Sequence, residues 1–375
     1  MKSKKNIVPI VAVIVGIVII GIMAIVFGGD KNKKKYANLN NNNSNIAFEQ
    51  AKKEHEKERK KYQDVLYVYN AAEYIDESTL MDFEKEYKVR VEYSEFESNE
   101  SMYEDVSKNP NKYDVLVPSD YMIDRLIKED KLAKLDKAKV TNISNVATEY
   151  LAPEYDKNND YVIPYMTGTL GILYNTKKVA TPIDSWNALF DSKYKGKILM
   201  WDSERDCLGA TLKMLGYSMN SKNSSELAQV QSKLTAQRVL AKYGEEEIRD
   251  MMIAGEGTVA LMYSGEAKNA INQNNNLAYV IPKEGGNKWV DGFVILKNTK
   301  HMEMAQNFIN FMCRPNIAVR NMTTTGYTSA IKGAWGEFGN NKVMFPSAEE
   351  LSRCEAFLYD KEATELYNKI WAKIK

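Results

Sequence analysis

Short apolar strands alternate with amphipathic helices through most of the chain. VLYVY predicts a strand, and the following STLMDFEKEY has helical apolar spacing at Leu80, Phe83 and Tyr87. The same order returns in YDVLVP before DYMIDRLIKED, and in GTVALMY before GEAKNAINQ. Repeated alternation of this kind is typical of α/β proteins with largely parallel sheets. The sequence therefore predicts an α/β fold that begins near Asp64.

A long apolar run stands at the N-terminus. Residues 7–27, IVPIVAVIVGIVIIGIMAIVF, carry no charge, and a helix of this length spans roughly 30 Å, the thickness of a bilayer core. Signal-peptide cores are shorter, about 7–15 residues. Lysines flank the run on both sides, so the positive-inside rule does not orient it. We predict a transmembrane anchor or signal segment over 1–30, with an uncleaved helix at 7–27 preferred and cleavage after VFG as the alternative.

Residues 31–63 predict a spacer between this run and the folded region. ANLNNNNSN has too little apolar surface to fold and reads as a polar tether. FEQAKKEHEKERKKYQ then predicts a charged, solvent-exposed helix. The only two histidines, His55 in EHEK and His301 in KHME, are predicted to lie on solvated helix faces.

Composition excludes several classes of function. The 51 basic and 50 acidic side chains give a net charge of +1, so there is no electrostatic case for nucleic acid. Two histidines make a His-based triad or metal site improbable, and three widely spaced cysteines argue against a disulfide framework. Neither GxGxxG nor GxxxxGK[ST] is present. We therefore predict no catalytic residue, no metal and no cofactor.

Acids and aromatic residues gather where predicted strands end, and ligands bind beyond the carboxyl ends of strands in open α/β sheets. Each acid could simply cap a helix, but capping does not account for the accompanying rings. Rings and carboxylates together recognise organic cations, while a polyol or sugar, which also stacks on rings, remains the alternative. The residues at these junctions are Glu73, Tyr74, Ser119, Asp120, Tyr121, Trp201, Asp202, Glu204, Asp206, Tyr263, Ser264, Glu266, Trp289, Asp291 and Tyr327.

One of these junctions, NKWVDGFVI, is itself predicted to be a strand. Side chains alternate with period two along a strand, so Trp289 and Asp291 should point to the same face. Gly292 would allow a close backbone approach. The structural alternative is a core tryptophan beside a turn aspartate.

Several longer stretches occur in a recognisable order: YNAAEYI, FESNESMYE, YDVLVPSDYMIDR, NNDYVIPY, YKGKILM, PKEGGNKWVDGFVI, INFMCRPNIA and TTGYTSA. In this set the chain resembles bacterial spermidine/putrescine-binding proteins of polyamine ABC transporters, from about residue 65 to the C-terminus. The resemblance implies a two-lobed periplasmic-binding-protein fold (type II-like), with the ligand in the cleft. It places lobe 1 at 64–166 and 290–337, and lobe 2 at 167–289 and 338–375.

The resemblance also implies roles for individual residues. Ligand contacts of the first lobe match Tyr74, Ser119 and Tyr121. An aromatic box with its amine-binding carboxylate matches Tyr263, Trp289 and Asp291. A glutamate that pairs with an amine matches Asp206, and a further cleft tyrosine matches Tyr327. With Glu73, these are the nine predicted ligand-binding residues.

The chain departs from the family pattern at two places. Ala71 and Ala72 stand where the family has Trp-Thr, and Ser203 stands where it often has an aspartate. Either Glu204 or Asp202 could replace that charge, and the spacing does not decide between them.

The function implied is that of a monomeric binding protein, not an enzyme, on the extracytoplasmic face of the membrane. It would capture spermidine or putrescine and deliver it to an ABC permease. A ferric-iron-binding protein is one alternative, although those typically use adjacent tyrosines and no YY pair exists here. A hydrolase using Ser119 or Ser264 is a second, and no histidine lies near either in sequence. A membrane-tethered polyamine sensor is a third.

Overall fold

The computed structural model describes residues 48–245 and 247–375. The predicted apolar anchor at 7–27 and the asparagine-rich tether lie outside the described residues. Among the described helices, none combines the length and the apolar character needed to cross a bilayer.

The chain divides into two compact units. Of the described residues, the smaller comprises 48–64 together with Tyr87–Arg90. Its described helix, α1, covers residues 48–59, so the predicted charged helix is present but ends earlier than its sequence suggested. The prediction of a solvated His55 is wrong, because this side chain is only 3% exposed. It falls on the less exposed stripe of α1, which recurs at residues 48, 51, 52, 55 and 59 with helical spacing.

The larger unit, Val65–Glu86 with Val91–Lys375, carries the α/β architecture. Its strands pair in the order β2–β1–β3–β9–β4–β7–β5–β6, with β8 and β10 also pairing with β4. The strands are β1 (Asp64–Ala71), β2 (Val89–Phe96), β3 (Val115–Leu116), β4 (Val162–Asn175), β5 (Ile198–Trp201), β6 (Ala241–Gly244), β7 (Val259–Tyr263), β8 (Leu277–Val280), β9 (Lys288–Ile295) and β10 (Thr328–Ser329).

Helices follow most of these strands, as the alternation in the sequence predicts. Apart from short 3₁₀ turns they are α2 (Glu77–Tyr87), α3 (Asn99–Lys108), α4 (Asp120–Lys128), α5 (Glu204–Met214), α6 (Ser224–Gln237), α7 (Glu247–Ile253), α8 (Ser264–Gln273), α9 (Met302–Met312), α10 (Pro315–Thr325), α11 (Ala348–Ser352) and α12 (Lys361–Ile374).

The long strand β4 belongs to two sheets at once. Its first part, through Thr169, pairs with β9 and β10, while the part from Leu170 onward pairs with β7 and β8. We call β1, β2, β3, β9, β10 and the first part of β4 the first sheet. The second sheet comprises the rest of β4 with β5, β6, β7 and β8. Because β4 is one continuous strand, it joins the two sheets directly.

The expectation of largely parallel sheets is wrong in part. The β1–β3, β5–β6 and β5–β7 pairs are parallel, but β4 and β9 run antiparallel to every strand with which their described residues pair. Strand–helix alternation predicts parallel neighbours only where a helix returns the chain within one sheet. Strand β4 instead runs through both sheets, and β9 pairs in the first sheet with β3 and β4, which are not its neighbours along the chain. The rule therefore does not apply to them.

Each sheet packs its own apolar core. Buried residues including Met122, Leu126 and Val294 pack together beside the first sheet. A larger cluster around the fully buried Trp186, with Leu261, packs beside the second. Two separate cores leave the ends of the strands to border a shared space, and that space holds the candidate site.

Candidate functional site

One cavity of about 770 Å³ is bordered by residues that follow strands of both sheets. All nine residues predicted from the sequence line it. They are Glu73, Tyr74, Ser119, Tyr121, Asp206, Tyr263, Trp289, Asp291 and Tyr327. The two alanines at 71 and 72 border the same cavity.

Five aromatic rings form a continuous series along the cavity wall. Ring centroids are 5.1 Å apart from Trp201 to Tyr263 and 5.4 Å from Tyr263 to Trp289. The series continues over 6.1 Å from Trp289 to Tyr327 and 5.3 Å from Tyr327 to Tyr74. Steep interplanar angles of 60–81° along the series direct ring edges against neighbouring faces, a favoured arrangement for aromatic pairs. Trp201 was not among the nine predicted residues.

Two glycines make room for these rings. A Cβ atom on Gly168 would lie 2.4 Å from the Trp289 ring, and one on Gly265 would lie 2.5 Å from the Tyr327 ring. Gly292, which we expected to allow a close backbone approach, serves a neighbouring strand: its Cβ would lie 2.3 Å from a methyl group of Val162 in β4. The glycine of WVDG therefore packs the first sheet and does not border the cavity.

Asp291 presents one satisfied and one unsatisfied oxygen. The hydroxyl of Tyr74 donates to Oδ2 over 2.7 Å. Oδ1 is buried and has no hydrogen-bond partner among the described residues. Burial outweighs the lowering effects of the nearby Tyr74, Ser119 and Trp289 side chains and raises the pKa of Asp291 to about 6. Because an unpaired buried carboxylate oxygen is costly, the site gains free energy from a cationic donor.

A second buried carboxyl group, that of Asp120, lies close to Asp291. Asp120 is 8% exposed and accepts a 2.8 Å hydrogen bond from the backbone N–H of Tyr121. Burial, reinforced by the charge of Asp291, raises its pKa to about 7. Two neighbouring carboxylates that resist ionising together favour a cation between them. The sequence placed Asp120 at a strand end, but it did not show that Asp291 would lie beside it.

Asp206 and Tyr263 form another pair, in which the tyrosine hydroxyl donates to the carboxylate. Burial raises the pKa of Asp206 as well. Asp206 lies in the first turn of α5, and the hydroxyl of Ser203 accepts from its backbone N–H over 3.4 Å. Ser203 is thus the N-cap of α5, a position that serine and aspartate fill equally well.

The two acids beside Ser203 have different surroundings. Asp202 Oδ2 lies 3.0 Å from the ammonium of Lys375. Burial, followed by the nearby charge of Glu100, raises the pKa of Glu204 to about 7. Both acids border the cavity. Oδ1 of Asp202 is also buried without a partner among the described residues, but Lys375 offsets the charge of this group. We therefore take Glu204 as the better candidate to replace the missing aspartate.

Tyr121 and Ser119 are held by α3. The hydroxyl of Tyr121 donates to Glu100 over 2.9 Å, and Asn99 donates to the hydroxyl of Ser119 over 3.1 Å. The guanidinium of Arg205 lies 4.4 Å from the centroid of the Tyr121 ring. Asn99 and Glu100 were not among the nine predicted residues, although both follow β2 at the start of α3.

Glu73 lies at the rim of the cavity, where its carboxylate already has a protein partner. Arg249 donates to its Oε2 over 2.8 Å, and its side chain is 60% exposed. Glu73 also has a left-handed backbone, with φ 53°, which is uncommon outside glycine.

The cavity is strongly acidic although the chain as a whole is nearly neutral. Three basic side chains border it: Arg125, Arg205 and Lys361. Twelve acidic ones do so: Glu73, Glu97, Glu100, Glu104, Asp120, Asp202, Glu204, Asp206, Glu245, Glu266, Asp291 and Glu365. In the described part of the chain, no group of three or more His, Cys, Asp or Glu side chains could hold a metal ion. The arrangement suits an organic cation that stacks on rings and donates hydrogen bonds.

Proteins that enclose a small molecule between two α/β lobes are built in this way, so the class is that of a solute-binding protein. The chain belongs to the family of bacterial extracellular solute-binding proteins, which it matches over residues 79–340. The resemblance found in the sequence motifs is thereby confirmed.

Relatives and solved structures agree. The chain is 34% identical to a spermidine/putrescine-binding periplasmic protein of Salmonella typhimurium, over 83% of this chain and 92% of that one. A solved structure from Listeria monocytogenes, described as a spermidine/putrescine ABC transporter, superposes with a TM-score of 0.80 at 35% identity, over 83% and 99% of the two chains. A spermidine/putrescine ABC transporter substrate-binding protein of Streptococcus pneumoniae gives 0.72 at 34% identity, over 83% and 98%. The two-lobed α/β fold is therefore established.

Proposed function

We propose that this protein binds spermidine or putrescine in the cavity between its lobes and delivers it to an ABC permease. The observation that carries the proposal is Asp291, whose buried Oδ1 has no partner among the described residues and borders the ring series. An alkylammonium group supplies both the missing donor and the opposite charge. The names of the relatives from Salmonella and Streptococcus support the same ligand class.

Binding would proceed without chemistry. The methylene chain of the ligand would lie along Trp289 and Tyr263, with one ammonium at Asp291 and another toward Asp206 and Glu204. These groups come from both lobes, so a bound ligand would stabilise the closed arrangement over the open one. Affinity would then depend on how strongly closure is favoured.

The proposal also includes the lobe boundaries, the membrane anchor and the monomeric state that the sequence predicts. Lobe 1 would comprise 64–166 with 290–337, and lobe 2 would comprise 167–289 with 338–375. The family is extracellular, and residues 7–27 would anchor the chain to the membrane. The protein would be a monomer. Protease added to intact spheroplasts should then remove the folded region, and full protection would mean the reverse topology.

The alternatives have less support among the described residues. Ser119 accepts from Asn99, and Ser264 accepts from the backbone N–H of Thr169; neither is bonded to a histidine. His301 instead lies 3.0 Å from Asp114. The tethered-sensor alternative uses the same cavity and differs only in the partner.

Isothermal titration of the full chain in detergent tests the proposal. Putrescine, spermidine and spermine form the test panel, while glucose and ferric citrate probe the sugar and iron alternatives. We expect saturable binding of at least one polyamine and no binding of glucose or iron. Binding of glucose alone, or of iron alone, would overturn the proposal.

A further inference from the structure

One guanidinium nitrogen bridges carboxylates from two separate parts of the fold. Arg249 Nη1 donates to Oε2 of Glu73 and to Oε2 of Glu266, each over 2.8 Å. Glu73 follows β1 of the first sheet, whereas Arg249 in α7 and Glu266 in α8 lie beside strands of the second. Both acids border the cavity. The bridge therefore connects the two lobes at the cavity rim.

The surroundings of Arg249 favour a persistent contact. Its side chain is 16% exposed and that of Glu266 is 14% exposed, so this half of the bridge is sheltered from solvent. Burial opposes the charge of Arg249, but the hydrogen bonds and charges of Glu73 and Glu266 raise its pKa above the usual range. Glu73 is the exposed end, so separation of the lobes would break the Glu73 contact and leave the Glu266 contact intact.

Glu73 therefore has a different role from the one its sequence position suggested. Arg249 also contacts Glu266 and Asp250, but a ligand ammonium would still have to compete with its guanidinium for the carboxylate of Glu73. The left-handed backbone at Glu73 is the kind of local strain that persists only where the surrounding contacts hold it.

We infer that Arg249 is a positioning residue that fastens the two lobes in the conformation that holds the ligand. This inference rests on the proposed function and adds to it a determinant of how long the ligand stays bound. A contact present only in the closed state shifts the equilibrium toward closure. It therefore slows dissociation and leaves association nearly unchanged.

The test compares full-length wild type with Arg249→Gln, Glu73→Gln and the double variant, using stopped-flow dissociation of spermidine. Arg320→Gln is the matched control, since Arg320 also faces two carboxylates, those of Asp82 and Asp76, but all three lie in the proposed lobe 1. We expect each of the three variants at Arg249 and Glu73 to dissociate about two- to fivefold faster, as loss of a partly exposed ion pair implies. The control should match wild type.

The double variant separates the bridge from direct ligand contact. If Glu73 acts only through Arg249, the double variant should dissociate no faster than Arg249→Gln, because coupled residues are not additive. Additive effects would mean that Glu73 touches the ligand and would overturn the inference. Dissociation rates of Arg249→Gln and Glu73→Gln that equal the rate of Arg320→Gln would overturn it as well.

Failure of the proposed function is recognised separately, as an absence of polyamine binding to wild type. The bridge is then judged by electron–electron distance measurements on ligand-free protein, with spin labels at Lys108→Cys and Lys233→Cys, both exposed positions. The three native cysteines are buried. A longer or broader distance distribution in Arg249→Gln than in Arg320→Gln supports the bridge, and identical distributions reject it.

Discussion

The hydroxyl of Tyr74 donates a 2.7 Å hydrogen bond to Oδ2 of Asp291, and Oδ1 of Asp291 is buried without a partner among the described residues. Tyr74 follows β1 and Asp291 lies in β9, so the pair depends on the assembled first sheet. The tyrosine fixes the carboxylate and leaves one oxygen for a ligand. This asymmetry marks a site prepared for a donor that the protein itself does not supply.

The raised pKa values of Asp120 and Asp291 predict a pH dependence of stability. Their folded-state values are about 7 and about 6, against an ordinary value of 3.8. The folded state therefore binds more protons than the unfolded state between these limits, and the contribution of both groups to stability falls as pH rises through that window. Below the ordinary value both states are protonated and the contribution is complete.

This dependence is measured as a difference between two proteins. Both proteins are unfolded without ligand, and the free energy of unfolding of wild type is subtracted from that of Asp120→Asn. This difference should increase from about pH 4 to about pH 7. Spermidine should offset the effect, because an ammonium stabilises the ionised carboxylates. A difference that does not change with pH would show that Asp120 is not protonated in this range.

Trp289 is expected to contribute to both affinity and stability. Trp289→Ala should weaken polyamine binding by about 1–2 kcal/mol, the value of a well-placed cation–π contact. It should also lower the melting temperature, because the ring is flanked by Tyr263 and Tyr327. Trp335→Ala is the control, since Trp335 packs on Phe345 outside this cavity. If both variants lower only the melting temperature, Trp289 is merely a packing residue.

Ala71 offers a gain-of-affinity prediction. Ala71 borders the cavity where the family pattern has a tryptophan, and a restored stacking surface is worth on the order of 1 kcal/mol. Ala71→Trp should therefore tighten binding of at least one polyamine by a few-fold to about tenfold, as measured by titration. Weaker binding of every polyamine would mean that the space is already filled by another group.

Glu204 and Asp202 provide a matched pair of variants. Glu204→Gln should weaken binding of spermidine, whose additional amine needs a further acid, by about three- to tenfold, since exposed or half-buried charge pairs are worth about 1 kcal/mol. Asp202→Asn should change it little, because Lys375 already offsets that charge. The reverse order of effects in parallel titrations would assign the replacement to Asp202.

The positions of the site residues could be predicted because strand ends are visible in a sequence. The apolar run TVALM located Tyr263, strand alternation located Asp291, and the family resemblance located Tyr327. The structure brings all three to one cavity. The direction of β9 could not be predicted, because strand–helix alternation carries no information about a strand that pairs with strands distant along the chain.

Contacts between distant segments were also beyond the sequence. Arg249 lies 176 positions from Glu73, and no motif in the sequence links the two. Likewise, burial raises the pKa of Asp120, and the charge of Asp291, which is supplied by a different strand, raises it further. Charge pairs of this kind follow from the assembled fold and have no local pattern.

The most direct measurement is a paired titration of wild type and Asp291→Asn with spermidine and putrescine, with melting temperatures recorded on the same samples. Asparagine keeps the shape of the side chain and removes its charge. Leaving a buried ammonium unpaired costs about 2–5 kcal/mol, so affinity should fall by roughly thirty-fold or more at about 1.4 kcal/mol per factor of ten. The ligand-free melting temperature should not fall, because the variant removes a charge whose burial is unfavourable. Unchanged affinity for both polyamines would contradict the account, because the unpaired oxygen of Asp291 would then have no part in binding.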